Sequence, residues 1–117
     1  YWVGSDSRVG VWIDTATIRF YTGSEKYAHR NHQCALAWVE LYNADKDEYV
    51  ILHDEFDFEC RLMRTLSATL YDSQNRVIDS ANRSYADFED VIPGSKGEAV
   101  YDAVVLLKET RENARRL

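Results

Sequence analysis

The sequence predicts an α+β domain: an antiparallel sheet of about six strands with a C-terminal α-helix packed on one face. Three observations carry that prediction. Residues 49 to 71, YVILHDEFDFECRLMRTLSATLY, alternate apolar and polar through Val50, Leu52, Phe56, Phe58, Cys60, Leu62, Leu66, Ala68 and Leu70. Such a period of two marks strands with one face in a core. Residues 34 to 43, CALAWVELYN, are apolar on both sides, as in a central strand covered on both faces or covered by a partner chain. Late in the chain, Ser95-Lys96-Gly97-Glu98 forms a capping box ahead of Val100, Ala103, Val104 and Leu107. That is a helix start followed by one apolar stripe.

Taken in order, residues 9 to 14 (VGVWID) alternate and read as a first strand, and residues 16 to 21 alternate again after a short turn at Asp14-Thr15. Residues 22 to 33, TGSEKYAHRNHQ, lose the period and carry Gly, Ser, Asn and charge, which marks a loop. Strand 34–43 follows, then a turn over residues 44 to 47. The long alternating stretch exceeds one strand of a small domain, so a reversal is expected near Glu59, with 58 facing 60, 56 facing 62 and 54 facing 64. That register sets Asp54 opposite Arg64 on the core face. An inward charge is costly without a partner, so a cross-strand Asp54–Arg64 ion pair is expected. The same parity points Cys60 into the core. Asp72-Ser73-Gln74-Asn75 is a hairpin turn, and residues 76 to 80 return as a last strand. A polar connection over 81 to 94 ends in Pro93, the sole proline. In the helix, Asp102, Lys108 and Glu109 lie away from the stripe. Beyond Leu107 the sequence KETRENARRL keeps helical propensity but is charged all round, and is expected to project into solvent or fray. The organisation is one domain over residues 1 to 117, with a core from about 9 to 107 and a charged helical tail over 108 to 117.

A chain of 117 residues supports a single core. Its 45% apolar and 29% charged residues are those of a globular protein. The net charge of −6 excludes nucleic acid as the main partner, since phosphate binding needs a basic footprint. Fifteen aromatic residues, eight of them Tyr, suit sheet and contact surfaces. No apolar run has the length of a transmembrane helix. The sequence opens at Tyr1 without Met, signal peptide or lipoprotein cysteine, as expected of a processed or truncated form whose address segment has been removed. Cys34 and Cys60 permit one disulfide without requiring it.

His29, His32 and Cys34 in HRNHQC, with His53 as a further donor, form the sharpest chemical candidate, because imidazole and thiolate are the usual zinc donors. Their spacing matches no standard metal motif, and solvated histidines are ordinary in a loop entering a strand. No metal ion is therefore assigned. The row Glu55, Asp57 and Glu59 invites a hard cation or a glycosidase carboxylate pair, but an acidic outer strand face is commonplace. Cys60 as a nucleophile has no His near it in sequence, and a buried structural cysteine is the plainer reading. Asn82-Arg83-Ser84 fits a glycosylation sequon, a tripeptide too common to weigh. Tyr1, Trp2, Tyr21, Tyr27 and Tyr85, with the doubly apolar strand 34–43, are candidates for a contact surface. Neither nucleophile–base pair, phosphate loop nor cofactor signature is present, so no catalysis and no cofactor are expected.

Three stretches in order, VWIDTATI, EFDFECRLMRTLSATLYDSQNRVIDS and IPGSKGEAVYDAVV, resemble the bacterial surface-adhesin protein E family over roughly residues 9 to 106. The resemblance implies a secreted or surface-anchored domain, a six-stranded antiparallel sheet and a C-terminal helix on its concave face. It also implies protein binding without enzyme activity, with host matrix and plasma proteins such as laminin, vitronectin and plasminogen as partners, and a capacity to dimerise. An envelope accessory protein without a host ligand is the alternative. A small metal- or ligand-binding module using His29, His32 and Cys34 is the second. The family's helix ends in AVC, whose cysteine ties the helix to the sheet cysteine. Cys60 matches the sheet partner, whereas the helix position is Val105 here. The staple is thus absent unless Cys60 pairs with Cys34, and Val105 is expected to pack near Cys60.

Overall fold

The computed structural model describes residues 1–6, 9–23, 31–83 and 86–115. Its elements are β1 (Trp2–Asp6), β2 (Val9–Ile13), β3 (Arg19–Thr22), β4 (Gln33–Asn43), β5 (Glu48–Asp57), β6 (Leu62–Tyr71), β7 (Val77–Asn82), β8 (Glu89–Asp90) and α1 (Lys96–Arg115). All strands join one antiparallel sheet in the order β1-β2-β4-β5-β6-β7, with β3 paired to β4 and β8 to β6. The α+β architecture stands, and among the described residues the sheet has eight strands rather than six, because β1 and β8 extend it. Residues 16 to 21 make a later strand than their alternation suggests. The Asp14 carboxylate accepts the Ala16 N–H at 3.0 Å and winds Thr15–Thr17 into a 3-10 turn, so pairing starts at Arg19.

Strand β4 is central, between β2 and β3 on one side and β5 on the other. One of its faces, Ala35, Ala37 and Val39, is buried with Val11, Ile13 and Phe56 beneath Val100, Tyr101, Ala103 and Val104 of α1. Sheet strands alternate and the helix repeats at three and four residues, so both elements bury one side against the other. The Tyr101 ring lies between two others, with centroids 6.2 Å from Phe56 and 5.9 Å from Phe58. Tyr101 is a core residue that the apolar stripe did not include.

The reversal after β5 falls near Glu59 as expected, but the register is one residue off. Asp57 pairs with Leu62, Phe56 with Met63, Glu55 with Arg64 and Asp54 with Thr65. A one-residue slip exchanges faces, so Asp54 and Arg64 do not meet. Asp54 faces α1 and accepts the Thr65 hydroxyl at 2.7 Å, while Arg64 turns to the opposite face and donates to Glu55 at 2.7 Å. The register then shifts again between His53 and Asp54, which leaves Leu66 as the extra residue of a bulge. Beyond it Leu52 pairs with Ala68 and Val50 with Leu70, the even parity that the alternation predicts. Cys60 also departs from expectation. It occupies the turn after β5, exposed rather than in the core, and both Cys34 and Cys60 are free thiols.

The capping box is in place, with the Glu98 N–H donating to the Ser95 hydroxyl at 3.1 Å. The Glu98 carboxylate reaches one residue further back, accepting the Gly94 N–H at 3.0 Å, and pairs with Arg61 at 3.0 Å. Val105 packs on the rim of the core. The charged tail neither frays nor stands clear over its described part. Helix α1 runs to Arg115, and Arg111 donates to the Thr15 carbonyl at 2.9 Å while lying over Phe20. Lys108 lies over the Phe58 ring rather than away from the packed side. Among the described residues, no helix is long and apolar enough to cross a membrane.

Candidate functional site

The sheet face opposite α1 carries two groups of side chains. The first lies at the end where β4 begins and β5 finishes. Cys34 sits opposite Asp57 across the β4–β5 ladder, and Tyr21 sits opposite Cys34 across β3–β4. His32, just before β4, is held in place from its backbone. Its carbonyl accepts the Gly23 N–H at 2.8 Å and the Cys34 thiol at 3.5 Å. Its Nδ1 lies 2.8 Å from Asp57 Oδ2 and 3.7 Å from Cys60 Sγ. Asp57 is completely buried, and its Oδ1 accepts the backbone N–H groups of Glu59 and Cys60 at 3.0 and 3.1 Å. One carboxylate therefore shapes the turn and brings Cys60 to the histidine.

Electrostatics follow from this crowding. The hydrogen bond to Asp57 raises the His32 pKa above its ordinary value, against a smaller effect of burial. Burial raises the Cys60 thiol, and the Asp57 and Glu59 carboxylates add to it. Cys34 is pushed up to about 11, by burial first and then by Asp57 and Glu55. Both sulfurs are thus poor spontaneous nucleophiles. Nor is the trio a Cys–His–Asp relay. In such a relay the thiol and the carboxylate meet opposite ring nitrogens, and here both meet Nδ1.

Next along the face, Tyr21 donates its hydroxyl to Glu55, whose other oxygen accepts Arg64 Nε. Arg64 also donates to the Ala86 carbonyl at 2.9 Å and stacks over Phe88, so residues 86 and 88 close over the pair. Burial and then the Glu55 bond raise the Tyr21 pKa. The row Glu55, Asp57 and Glu59 is accordingly not a solvated outer face, since its first two members are buried and satisfied and only Glu59 is exposed. Tyr21 is likewise half-buried rather than an exposed ring.

The second group is aromatic and open. Trp38 is 39% exposed and stacks on His53 of β5 with ring centroids 4.1 Å apart. Trp12 is 37% exposed and lies across Gly10, where a Cβ would come within 2.5 Å of its ring. Glu40 and Ile51 stand between these rings and a stacked Tyr49–Tyr71 pair with centroids 4.8 Å apart. Tyr42 continues the row beside Tyr49. Burial lowers the His53 pKa from its ordinary value, against a smaller opposing effect of the Glu55 carboxylate.

Of the metal candidates, His32 belongs to a convergent group, but its partners are Asp57 and Cys60 rather than Cys34. His53 belongs to the aromatic row, and His29 lies outside the described residues. Tyr1 and Trp2 are exposed as expected, while Tyr27 and Tyr85 lie outside the described residues, as does Ser84 of the sequon. Trp38 belongs to the doubly apolar strand 34–43 expected as a contact surface, and Trp12 of the neighbouring strand joins it on the same face. Comparison with protein-family models, curated proteins and solved structures finds no match to this chain.

Proposed function

We propose that this chain is a non-enzymatic protein-contact domain of the bacterial surface or cell envelope, similar to surface-adhesin protein E. The observation that supports the reading is the aromatic row on the sheet face opposite α1, in which Trp12 and Trp38 are exposed and Tyr42, Tyr49 and Tyr71 are half-buried. Large rings held on paired strands offer contact area at little conformational cost, which is how contact hot spots are built. The polar ends of Tyr and Trp let the same surface stand in water when no partner is present. A host matrix or plasma protein is the partner that the resemblance implies.

Purified protein tested on immobilised laminin, vitronectin and plasminogen, at physiological and at high salt, decides the matter. Saturable binding that survives salt and falls at least tenfold in Trp38→Ala is the expected result. No binding to any of the three would remove the host-ligand role and favour an envelope accessory protein. Binding that vanishes in salt and ignores Trp38 would place the contact on charged surface instead.

A further inference from the structure

We propose that His32, Asp57 and Cys60 form a binding site for a divalent transition metal of the zinc class. One ligand atom from each, a ring nitrogen, a carboxylate oxygen and Sγ, lies within 4.8 Å of the other two. A tetrahedral zinc ion with metal–nitrogen and metal–oxygen bonds of about 2.0 Å and a metal–sulfur bond of about 2.3 Å sets edges of roughly 3.3 Å for N···O and 3.5 Å for N···S. The observed edges are 2.8 and 3.7 Å. These two edges need to change by about half an ångström or less to accept the ion, and the carboxylate–sulfur edge, which lies within 4.8 Å, has to close towards about 3.5 Å by rotation of the exposed Cys60 side chain.

The donor set and its mounting argue for a metal over a plain ion pair. An imidazole–carboxylate pair needs no thiol, yet Cys60 is brought to the same nitrogen by the backbone bonds it makes with Asp57. Those bonds fix the carboxylate from its other oxygen, the kind of outer support that orients metal ligands. His32 is fixed independently through its carbonyl. The ligands thus come from two separately anchored segments that meet at one point. Nitrogen and sulfur donors favour zinc-like ions over calcium or magnesium, which prefer oxygen. Binding displaces the thiol proton to solvent and also the proton shared by His32 Nδ1 and Asp57, leaving the imidazole neutral with its hydrogen on Nε2, and the thiolate and carboxylate neutralise the ion. Cys60 is exposed and His32 part-exposed, so the fourth position opens to water. Cys34 is not a ligand in this arrangement, because its thiol serves the His32 carbonyl.

The test uses the whole chain, made without a polyhistidine tag and stripped with chelator. Zinc is titrated by calorimetry, cobalt is followed by its thiolate charge-transfer absorption, and the alkylation rate of Cys60 is read with and without zinc. One ion per chain, a cobalt–thiolate band and slowed Cys60 alkylation are expected. Binding should weaken at least tenfold in His32→Gln and in Cys60→Ser and persist in Cys34→Ser. Asp57→Asn is a poorer probe because Asp57 also holds the turn. Zinc binding that is absent, or unchanged in both His32→Gln and Cys60→Ser, would overturn the proposal. Loss of binding in Cys34→Ser with Cys60→Ser unaffected would overturn it equally.

Discussion

Replacing Asp54 by Asn should stabilise the domain at neutral pH and do little near pH 4. Asp54 is 2% exposed on the core side of β5, opposite Ala37 and on the same face as Phe56, with Thr65 as hydrogen-bond donor. Burial pushes its carboxyl up to about 6 from the ordinary 3.8, and the Thr65 bond offsets part of that rise. The folded chain therefore keeps a proton through a range in which the unfolded chain has lost it. Stability falls as pH rises through that range and stays lower above it. At about 1.4 kcal/mol per pH unit, the gap amounts to about 3 kcal/mol at pH 7. Asn keeps an acceptor for Thr65 but adds an amide N–H that finds no charge to satisfy, a cost of about 1 kcal/mol. The net gain is about 2 kcal/mol, or roughly 10 °C in Tm for a domain of this size. Urea and thermal unfolding of both proteins between pH 4 and pH 7.5 measures it. The difference between the two proteins is the quantity to follow, because other carboxylates pull the opposite way. Asp72 is held below its ordinary range by the Arg76 backbone N–H, and Glu98 by that of Gly94, so both give up stability as pH falls. A variant offset from the parent by the same amount at every pH would refute the reasoning, since the burial of charge could not then be its source.

Two further outcomes follow from the buried polar contacts and the helix start. Arg64→Ala leaves Glu55 buried without its guanidinium and should cost roughly 3–5 kcal/mol by chemical denaturation, part of it recovered in Arg64→Met combined with Glu55→Leu, which still deprives the Tyr21 hydroxyl of its acceptor. A loss under about 1 kcal/mol would mean that water replaces the arginine. Ser95→Ala removes the acceptor of the Glu98 N–H and should cost about 1 kcal/mol in a circular-dichroism melt. An unchanged melt would assign the helix start to the Glu98 carboxylate alone.

The alternation from Val50 to Leu70 is correct in outline and misleading in the middle, for a physical reason. The turn after β5 pairs Asp57 with Leu62, which inverts parity, and the bulge at Leu66 inverts it back. Two irregularities cancel, so the residue pattern shows neither. Only the segment between them, Leu62 to Leu66, faces the unexpected way, and it contains Arg64. The consequence for the site is direct. Had the simple register held, Glu55 and Asp57 would face solvent and Arg64 the helix. Instead Arg64 joins Glu55 on the opposite face. The His32–Asp57–Cys60 group was hidden for another reason, since His32 lies 25 residues from Asp57 and 28 from Cys60 and meets them only through the β4–β5 ladder. His32 and Asp57 were each legible as donors, but their convergence with Cys60 was not. Strand β1 escaped notice because Gly4 and the polar residues around it break any apolar period.

Helix α1 follows every strand in the chain, and this order bears on how the domain is made. Strands β4 to β7 are joined by consecutive hairpins, so they can pair from local contacts as soon as they exist. The apolar side of that ribbon, with Ala35, Ala37, Val39 and Phe56, then waits for Val100 to Val104 to arrive. Until the helix is delivered, the nascent sheet leaves its apolar core face open to water, beside an edge at β7 where Val77 and Ile78 are exposed. A chain cut short before Lys96 is thus a candidate for self-association rather than a smaller version of the same domain.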